Sequence, residues 1–353
     1  MSLRCSFMVP GDLNARTGGY GYDRKIIEGL RARQWQVDVG MLGDGYPAPG
    51  RTAREQADRI ADALPDGTLA VVDGLAFGVL AELAQRHARR LDWVALVHHP
   101  LSLETGLDAA QRRALFDSER RALASARGVI VTSRSTARAL AADFDIDAAR
   151  IAVIEPGTDP APPAAGSGSA ELSLLCVATV TPRKGHAVLV EALAGLRDRR
   201  WTLDCAGSLS TDPACVHALG NAIEAHGRRT RRAARRTARG RTARAVCRCR
   251  RLRAALVPRG LWHGAGRSVG ARAAGDQHAR RRHRRHGACR RRHAGGTRRC
   301  RGLARRAAAP AGRRRMACAA AAAARAGAAP AHLAGQQRRF AAALEAFRGR
   351  ALA

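Results

Sequence analysis

The sequence predicts an α/β protein with parallel sheets and two domains. Short apolar runs alternate with segments of helical periodicity along the first 227 residues, an order typical of parallel sheets covered by helices on both faces. Polar residues and glycines follow directly after the apolar runs, which is where such sheets bind ligands. The length of 353 residues suffices for two hydrophobic cores.

The first half of the chain predicts a complete domain. Its apolar runs predict six strands, at 5–10, 37–42, 69–73, 93–97, 128–132 and 151–154. The periodic segments between them predict helices around 26–30 and at 53–63, 79–87 and 109–126, with one more helix that Ser133 caps. We therefore place the first domain at 1–158.

A segment rich in Pro, Ala, Gly and Ser at 159–170 predicts an interdomain linker. The alternation then restarts with predicted strands at 172–178 and 202–206 and helices at 187–193 and 214–226. After Gly227 the pattern stops, so 171–227 is predicted to be only the start of a second domain.

The strongest ligand-binding pattern lies in this second domain. A strand that ends within 177–180 is followed by Arg183, Lys184 and Gly185 and then by a helix. A helix N-terminus offers free N–H groups and partial positive charge, and two cations stand beside it, so the layout is typical of a phosphate site. An ordinary solvated Arg-Lys pair is the alternative. The next strand ends at Gly207.

Three strand ends of the first domain carry further candidates. Gly18 and Gly19 lie between the first strand and the first helix, where glycine lets a ligand approach the backbone, although Gly-Gly is also common in plain turns. His98 and His99 follow the fourth strand, and the sixth ends at 155–157, Glu-Pro-Gly. No carboxylate pair stands out, so no metal site is predicted.

The formal net charge of +33 belongs to one segment. Residues 228–337 hold 33 Arg, no Lys and a single acid, Asp276, whereas the remainder holds 29 Lys and Arg against 28 Asp and Glu. Nine Cys show no disulfide framework, and neither a signal peptide nor an apolar run of the ~20 residues that cross a bilayer is found. These features predict a cytoplasmic protein.

The motifs described so far resemble bacterial family-4 retaining glycosyltransferases of the GT-B fold. The pieces that carry the resemblance are TGGYGYDRKI, VHHPLSLETGL, VIVTSRST, IAVIEPGTD and LLCVATVTPRKGHAVLVEAL. The resemblance covers residues 1–227 and returns at 338–353. It implies two Rossmann-like domains facing a cleft, the first mainly for the acceptor and the second mainly for a nucleotide sugar.

The resemblance also implies roles for the candidate residues. Arg183 and Lys184, with Gly185 and Gly207, would bind the donor and its diphosphate. Either His98 or His99 would lie near the transferred sugar, unless the pair only makes hydrogen bonds at the strand end. The cleft loops would contain Gly18, Gly19, Glu155 and Gly157. No metal or other cofactor is implied, because the nucleotide sugar is a substrate.

One family signature is missing. The resemblance implies two Glu separated by seven residues in the second domain, one beside the donor sugar and one on the ribose. No Glu occurs between His226 and Leu344.

Three interpretations of the Arg-rich segment compete. A nucleic-acid-binding arm is disfavoured because the segment has no Lys and no Phe or Tyr that could stack on bases. A metal site is disfavoured because its five Cys and six His match no finger spacing. The third interpretation is that 228–337 is the second domain translated out of frame, since a GC-rich gene read in a wrong frame yields mostly Arg, Ala, Gly, Pro and His.

Regrouping the codons supports the third interpretation. Trp262 must be TGG and the codon of His263 begins with CA, so the shifted codon is GGC, which encodes Gly. Continued across 255–278, synonymous codons permit a string containing E-G-Y-G-M-V-L-A-E, which has the implied Glu spacing. We expect the shift to begin near Gly227 and to end near Arg338, leaving 338–353 as an in-frame helix and 228–337 disordered.

The sequence thus predicts a hexosyl-type glycosyltransferase that retains anomeric configuration and is impaired as written. Its partners would be a nucleotide-sugar donor and a glycan or lipid-linked acceptor, the latter placing it at the inner membrane face. The Arg-rich segment would bind polyanions without specificity. A nucleic-acid-binding protein with a genuine Arg-rich segment is the alternative, and a sugar-phosphate epimerase is a second one that the permitted Glu motif disfavours.

Overall fold

The computed structural model describes residues 3–15, 17–158, 172–195, 201–225, 251–252 and 332–350. The chain divides into two compact units. The first contains residues 1–157 and the C-terminal residues 331–353, and the second contains most of 158–330.

The first unit is built around a parallel sheet of six strands. The strands are β1 Arg4–Val9, β2 Gln36–Met41, β3 Thr68–Asp73, β4 Leu91–Val97, β5 Gly128–Val131 and β6 Ile151–Val153. Their order is β2-β1-β3-β4-β5-β6, with Asp73 opposite Leu96 between β3 and β4. The α/β fold expected from the alternating pattern is therefore confirmed.

Helices connect these strands, as parallel pairing requires. They are α1 Gly18–Arg31, α2 Arg51–Ala63, α3 Gly74–Phe77, α4 Ala81–His87, α5 Ala109–Ala124 and α6 Arg134–Asp143, with short 3-10 turns at Leu101–Leu103 and Ala148–Arg150. Side-chain caps start several of them: Thr17 accepts from the backbone N–H of Tyr20, Asp108 from Gln111 and Ser133 from Thr136.

Each face of the six-stranded sheet has its own hydrophobic core, because successive residues of a strand point to opposite faces. Met8 and Val72 pack on one face with residues of α2 to α6, and fully buried Trp93 lies in the same cluster. Phe7 and Val71 pack on the other face, with residues of α1. Covering both faces explains why these strands are continuous apolar runs rather than alternating ones.

A C-terminal helix belongs to the second of these cores. Leu333–Phe347 supplies the buried side chains of Phe340 and Leu344. Its Gln337 donates through Nε2 to the Lys25 carbonyl, 2.8 Å away. This helix, called α9 below, is therefore an integral part of the first unit.

The second unit has three described strands in the order β8-β7-β9, all parallel: β7 Leu172–Val177, β8 Trp201–Ala206 and β9 Arg251–Leu252. Its described helices are α7 His186–Ala194 and α8 Pro213–Ala225, and a 3-10 turn, Pro182–Lys184, precedes α7. Leu174, Leu203, Val190 and Leu219 contribute to its core.

Three element predictions differ from the structure. The helix predicted at 79–87 begins at Ala81, and the short helix α3 before it was not predicted. Helix α9 begins at Leu333 rather than at 338, whereas β7 ends at Val177, within the range predicted for its end. Arg251 and Leu252 form a strand inside the segment that was expected to be disordered. The linker at 159–170 and residues 228–250 and 253–331 of the Arg-rich segment lie outside the described residues.

Within the part of the chain that the structure describes, no helix is both long enough and apolar enough to cross a membrane.

Candidate functional site

The carboxyl ends of β1, β3 and β4 lie side by side, because these strands are neighbours in the sheet. The segments that follow them carry Gly19 on α1, Asp73 at the end of β3 and His98 directly after β4. This edge is where doubly wound sheets bind ligands, and it gathers most of the first-domain candidates.

His98 is held between two buried carboxylates. Its Nε2 lies 3.0 Å from Oδ1 of Asp23 and 3.7 Å from Oδ2 of Asp73. Asp23 is fully buried on α1 and Asp73 is 3% exposed. Asp73 also accepts from the backbone N–H of Leu75 through Oδ1, at 2.7 Å, and so caps α3.

Two small or apolar neighbours complete the surroundings of His98. An ideal Cβ built on Gly19 would lie 3.3 Å from Cδ2 of His98, so the ring packs closely against a backbone without a side chain. The edge of one ring meets the face of the other between Tyr22 and His98, with centroids 5.3 Å apart. The Tyr22 hydroxyl donates to the Ile154 carbonyl at 3.0 Å. Gly18 starts α1 one residue after its cap, Thr17.

The electrostatics of this edge are dominated by aspartates. Burial, followed by the charge of Asp23, raises the pKa of Asp73 to about 7. Burial lowers the pKa of His98, but the charge and hydrogen bond of Asp23 and the charge of Asp73 outweigh it, so this pKa is raised overall. Burial raises the pKa of Tyr20 to about 12, with contributions from the charges of Asp73, Asp23, Asp44 and Asp12.

His99 lies in a different environment from His98. Its Nε2 is 3.8 Å from Oε2 of Glu104, a partly exposed carboxylate on the loop that follows. The two histidines that the sequence left indistinguishable are therefore distinct in the structure.

Glu119 forms a hydrogen bond with the loop that contains both histidines. This α5 residue is 1% exposed, and its Oε2 accepts from the backbone N–H of Leu101 at 2.9 Å. Burial raises the pKa of Glu119 to about 8, although hydrogen bonds from the backbone of Leu101 and Ser102 oppose that shift. Glu119 is therefore protonated over much of the neutral range.

The other two cleft-loop candidates do not join the His98 group. The backbone N–H of Gly157 donates to Oε1 of Gln336 at 2.7 Å, and an ideal Cβ on Gly157 would lie 2.6 Å from Cα of Leu333. Gly157 therefore serves the docking of α9. Glu155 is half-buried in the segment after β6.

The donor-binding candidates lie together in the second unit. Arg183 and Lys184 are in the 3-10 turn, and Gly185 follows with φ of +66°, a left-handed conformation that favours glycine. Helix α7 then starts without a side-chain cap. The predicted order of strand, cationic turn and helix N-terminus is thus present, and the strand ends at Val177, within the predicted range.

Gly207 lies beside the same turn. It follows β8, and an ideal Cβ there would lie 1.8 Å from the carbonyl oxygen of Ala178, so no other residue fits without a backbone shift. The backbone N–H of Val180 donates to the Ser208 carbonyl at 3.1 Å. These contacts bring the segments after β7 and β8 together at one edge of the sheet.

Asp23, Asp73 and Glu119 were not among the site residues predicted from the sequence. Asp23 lies within TGGYGYDRKI, and Asp73 ends an apolar strand, so a polar residue at a strand's carboxyl end was the available signal for Asp73. Asp23, Asp73 and His98 place one ligand atom each within 4.8 Å of the others, a group that could hold a cation or share protons.

Comparison with protein families gives one match. Residues 59–162, which include β4 to β6 and His98, match the family described as Glycosyltransferase Family 4. A sequence comparison with curated proteins finds no match.

Comparison with solved structures gives likenesses along most of the chain. HepE of Anabaena, in complex with UDP and glucose, has a TM-score of 0.68 and 15% identity over 97% of this chain and all of that one. A glycosyltransferase from Rickettsia africae has a TM-score of 0.62 and 13% sequence identity, and the match covers 99% of this chain and 100% of that one. Sucrose-phosphate synthase from Thermosynechococcus elongatus has a TM-score of 0.58 and 18% sequence identity, and the match covers 76% of this chain and 78% of that one. At these identities the likenesses show the fold, which is that of GT-B glycosyltransferases.

Proposed function

We propose that this chain derives from a retaining glycosyltransferase that moves a hexosyl group from a nucleotide sugar to a glycan or lipid-linked acceptor. The observation that carries the proposal is the family match over residues 59–162, because that range contains the strand end with His98. The shared fold with solved glycosyltransferases and the nucleotide in the HepE structure support a nucleotide-sugar donor.

The second unit supplies the donor-phosphate element in this proposal. Bond cleavage leaves negative charge on the departing diphosphate, so groups that meet this charge lower the barrier. Arg183 and Lys184 provide positive charges. The start of α7, which has no side-chain cap, adds backbone N–H groups that carry partial positive charge. Gly185 and Gly207 allow the backbone to take the conformation and the close packing that this turn needs.

The first unit supplies His98 rather than His99. His98 is oriented by Asp23 and Asp73 and packs on Gly19, whereas His99 faces Glu104. A rigidly held ring at the carboxyl edge of the sheet suits contact with a sugar better than a ring paired with a partly exposed carboxylate.

We further propose that residues 228–337 are translated out of frame and that the chain is impaired as written. The segment lacks the two Glu that the resemblance implies for the donor sugar and ribose, while the permitted shifted string contains them at the right spacing. Without them the transition state loses the contacts that the two Glu would make with the sugar and the ribose, although Arg183, Lys184 and His98 remain.

Sequencing the coding DNA tests the frame directly. We expect the bases from codon 255 to codon 278 to regroup into the E-G-Y-G-M motif, with an inserted or deleted base near codon 227 and a compensating one near codon 338. Bases that do not regroup in this way would end the out-of-frame hypothesis.

Enzyme assays test the function itself. UDP-glucose is the first probe, because HepE was solved with that donor, and a panel of other nucleotide sugars follows. We expect transfer by a frame-restored protein and less than about one-hundredth of that rate from the chain as written. NMR of the product's anomeric proton should show retained configuration, and failure of the restored protein with every donor would contradict the proposal.

A nucleic-acid-binding function is the competing candidate, because 33 Arg lie in one segment. We expect this segment to bind duplexes of any sequence equally and to release them as salt rises. A preference for one sequence at physiological salt would favour the competing function.

We propose a cytoplasmic location, at the inner membrane face if the acceptor is lipid-linked.

A further inference from the structure

The His98 cluster contains more buried charge than a simple structural contact needs. Three ionisable side chains, Asp23, Asp73 and His98, meet at the carboxyl edge of the first sheet, and both carboxylates are almost fully buried. Burying two carboxylates side by side is unfavourable unless protons or cations compensate. The arrangement therefore calls for an explanation in terms of its charge.

The hydrogen bonds of the His98 ring are asymmetric. Nε2 faces both carboxylates, at 3.0 Å from Asp23 and 3.7 Å from Asp73. Nδ1 is buried and has no hydrogen-bond partner among the described residues. Since Nε2 must carry a proton to bond Asp23, Nδ1 is the ring atom left for another group.

We propose that Asp23 and Asp73 are positioning residues that orient the His98 ring and keep it doubly protonated, so that Nδ1–H donates to a hydroxyl of the transferred sugar. This inference rests on the proposed function. Asp23 orients the ring by a direct hydrogen bond, and Asp73 adds negative charge from the neighbouring strand.

The charged groups around the ring agree with a cationic His98. Asp23 comes from α1 and Asp73 from β3, and both favour the imidazolium. Tyr22 packs its ring against His98 and directs its hydroxyl away, to the Ile154 carbonyl. Asp12 and Asp44, whose charges reach Tyr20, add to the negative potential at this edge. A neutral ring with its proton on Nε2 would keep the hydrogen bond to Asp23 but would lose the charge attraction of the two aspartates.

The same charges indicate what His98 binds. The two aspartates leave no excess of positive charge beside His98 that would attract a phosphate, whereas an uncharged hydroxyl accepts a hydrogen bond without needing one. A sugar hydroxyl is therefore the ligand that suits Nδ1–H.

NMR of the full chain with isotope-labelled histidine tests this inference without any enzyme assay. The His98 signals are assigned by their loss in a His98→Gln variant. We expect both ring nitrogens to be protonated at pH 7 and the titration midpoint to lie above 6.5. Asp73→Asn should lower that midpoint by about one pH unit, and Asp23→Asn by at least as much.

The NMR test includes a second variant that is expected to fold and a control variant. Asp73→Asn keeps the oxygen that caps α3, so it should fold even if Asp23→Asn does not. Asp62→Asn is the control, because Asp62 lies 3.3 Å from His87 and should shift that ring alone. A neutral His98 at pH 6, or a midpoint unchanged by Asp73→Asn, would mean that the cluster is only a structural tie and would overturn the inference.

Adding Zn²⁺, Mn²⁺ or Mg²⁺ alone to the wild-type chain gives a further test. We expect no saturable change in the His98 signals. A change that saturates at micromolar metal and disappears in Asp73→Asn would assign the cluster to a cation and overturn the proton-based account.

Assays of the frame-restored protein separate this inference from the proposed function. Asp73→Asn should lower kcat about tenfold or more and shift the pH profile of kcat to lower pH. The KM for the acceptor should stay nearly unchanged. Normal NMR titrations with no transfer in the restored wild type would reject the proposed function and leave the account of His98 protonation standing. Unchanged kcat in Asp73→Asn would reject the inference alone.

Discussion

The loop after β4 and the turn after β7 share a layout but have opposite charge. Each follows a buried parallel strand and carries polar groups at the carboxyl edge of its sheet. The first places His98 between two buried aspartates, and the second places Arg183 and Lys184 before an uncapped helix. The fold therefore offers the same position twice, with two buried carboxylates beside a histidine at one and two cations at the other.

The two groups also differ in burial. Asp23 and Asp73 are almost fully buried beside His98, and the sheet that carries them has a core on each face. Arg183 and Lys184 are partly exposed and precede a helix without a side-chain cap.

Lys184 gives the largest expected effect, because the proposed function places its ammonium beside charge that develops in the reaction. In a frame-restored protein, Lys184→Ala should reduce kcat with the active donor about 10²- to 10³-fold. The chain has only one other lysine, Lys25, whose ammonium lies 3.2 Å from Glu28 on α1. Lys25→Ala should stay within about twofold of wild type, and equal losses in both variants would remove the assignment of Lys184 to the phosphate.

Gly157→Ala should give the next largest effect, on the stability of the first unit. Its Cβ would lie 2.6 Å from the Leu333 backbone, which cannot yield without moving α9. We expect the free energy of unfolding of the first unit to fall by about 1–3 kcal/mol. Amide hydrogen exchange in α9 and β5 would measure this loss, because a chain with two units needs a local probe of stability.

Gly335→Ala is the control for this prediction. Gly335 lies inside α9, and its added Cβ would meet only the end of the Arg338 side chain, 3.8 Å away. Alanine there should stabilise the helix by up to about 1 kcal/mol. Equal exchange rates in the two variants would mean that α9 does not pack against Gly157.

Glu119 gives the smallest effect, a change in the pH dependence of stability. Its pKa is about 8 in the folded protein and 4.5 ordinarily, so the folded state holds the extra proton between these values. The contribution of Glu119 to the free energy of unfolding is therefore complete below pH 4.5 and is lost as the pH rises to about 8. Between these pH values the free energy of unfolding of the wild type should fall by about 1–3 kcal/mol relative to that of Glu119→Gln.

Hydrogen exchange at the Leu101 amide would measure this difference, since Leu101 donates to Glu119 and Gln can still accept. Glu55→Gln is the control, because Glu55 forms a largely exposed ion pair with Arg51 and should leave the pH slope unchanged. A Glu119→Gln variant with the wild-type slope would show that Glu119 stays ionised in the folded protein.

Much of the fold was predictable because its signals are local. Buried parallel strands such as β4 and β5 are continuous apolar runs, and caps such as Ser133 mark where helices start. The turn at Arg183 and Lys184 was predictable for the same reason, since strand, turn and helix are consecutive. The start of α4 was placed two residues early because the apolar spacing already begins at Val79 and Leu80, and the four-residue helix α3 is too short to give a periodic pattern.

The His98 cluster was only half predictable. The position of His98 after a strand identified it as a candidate, but nothing local separates it from His99. Asp23 was missed because it sits in a helix with ordinary charged neighbours, and 75 residues separate it from His98. Glu119 was missed for the same reason, as one acid among several charged residues on α5.

The sequence by itself determined the α/β class, the cationic turn at Arg183 and Lys184, and the absence of Glu from the Arg-rich segment, because each depends on residue type and spacing along the chain. The tertiary structure decided that His98, not His99, meets Asp23 and Asp73, and that Gly157 serves α9. Those assignments depend on which strands are neighbours and which side chains are buried together, and both arise only when distant segments pack on one sheet.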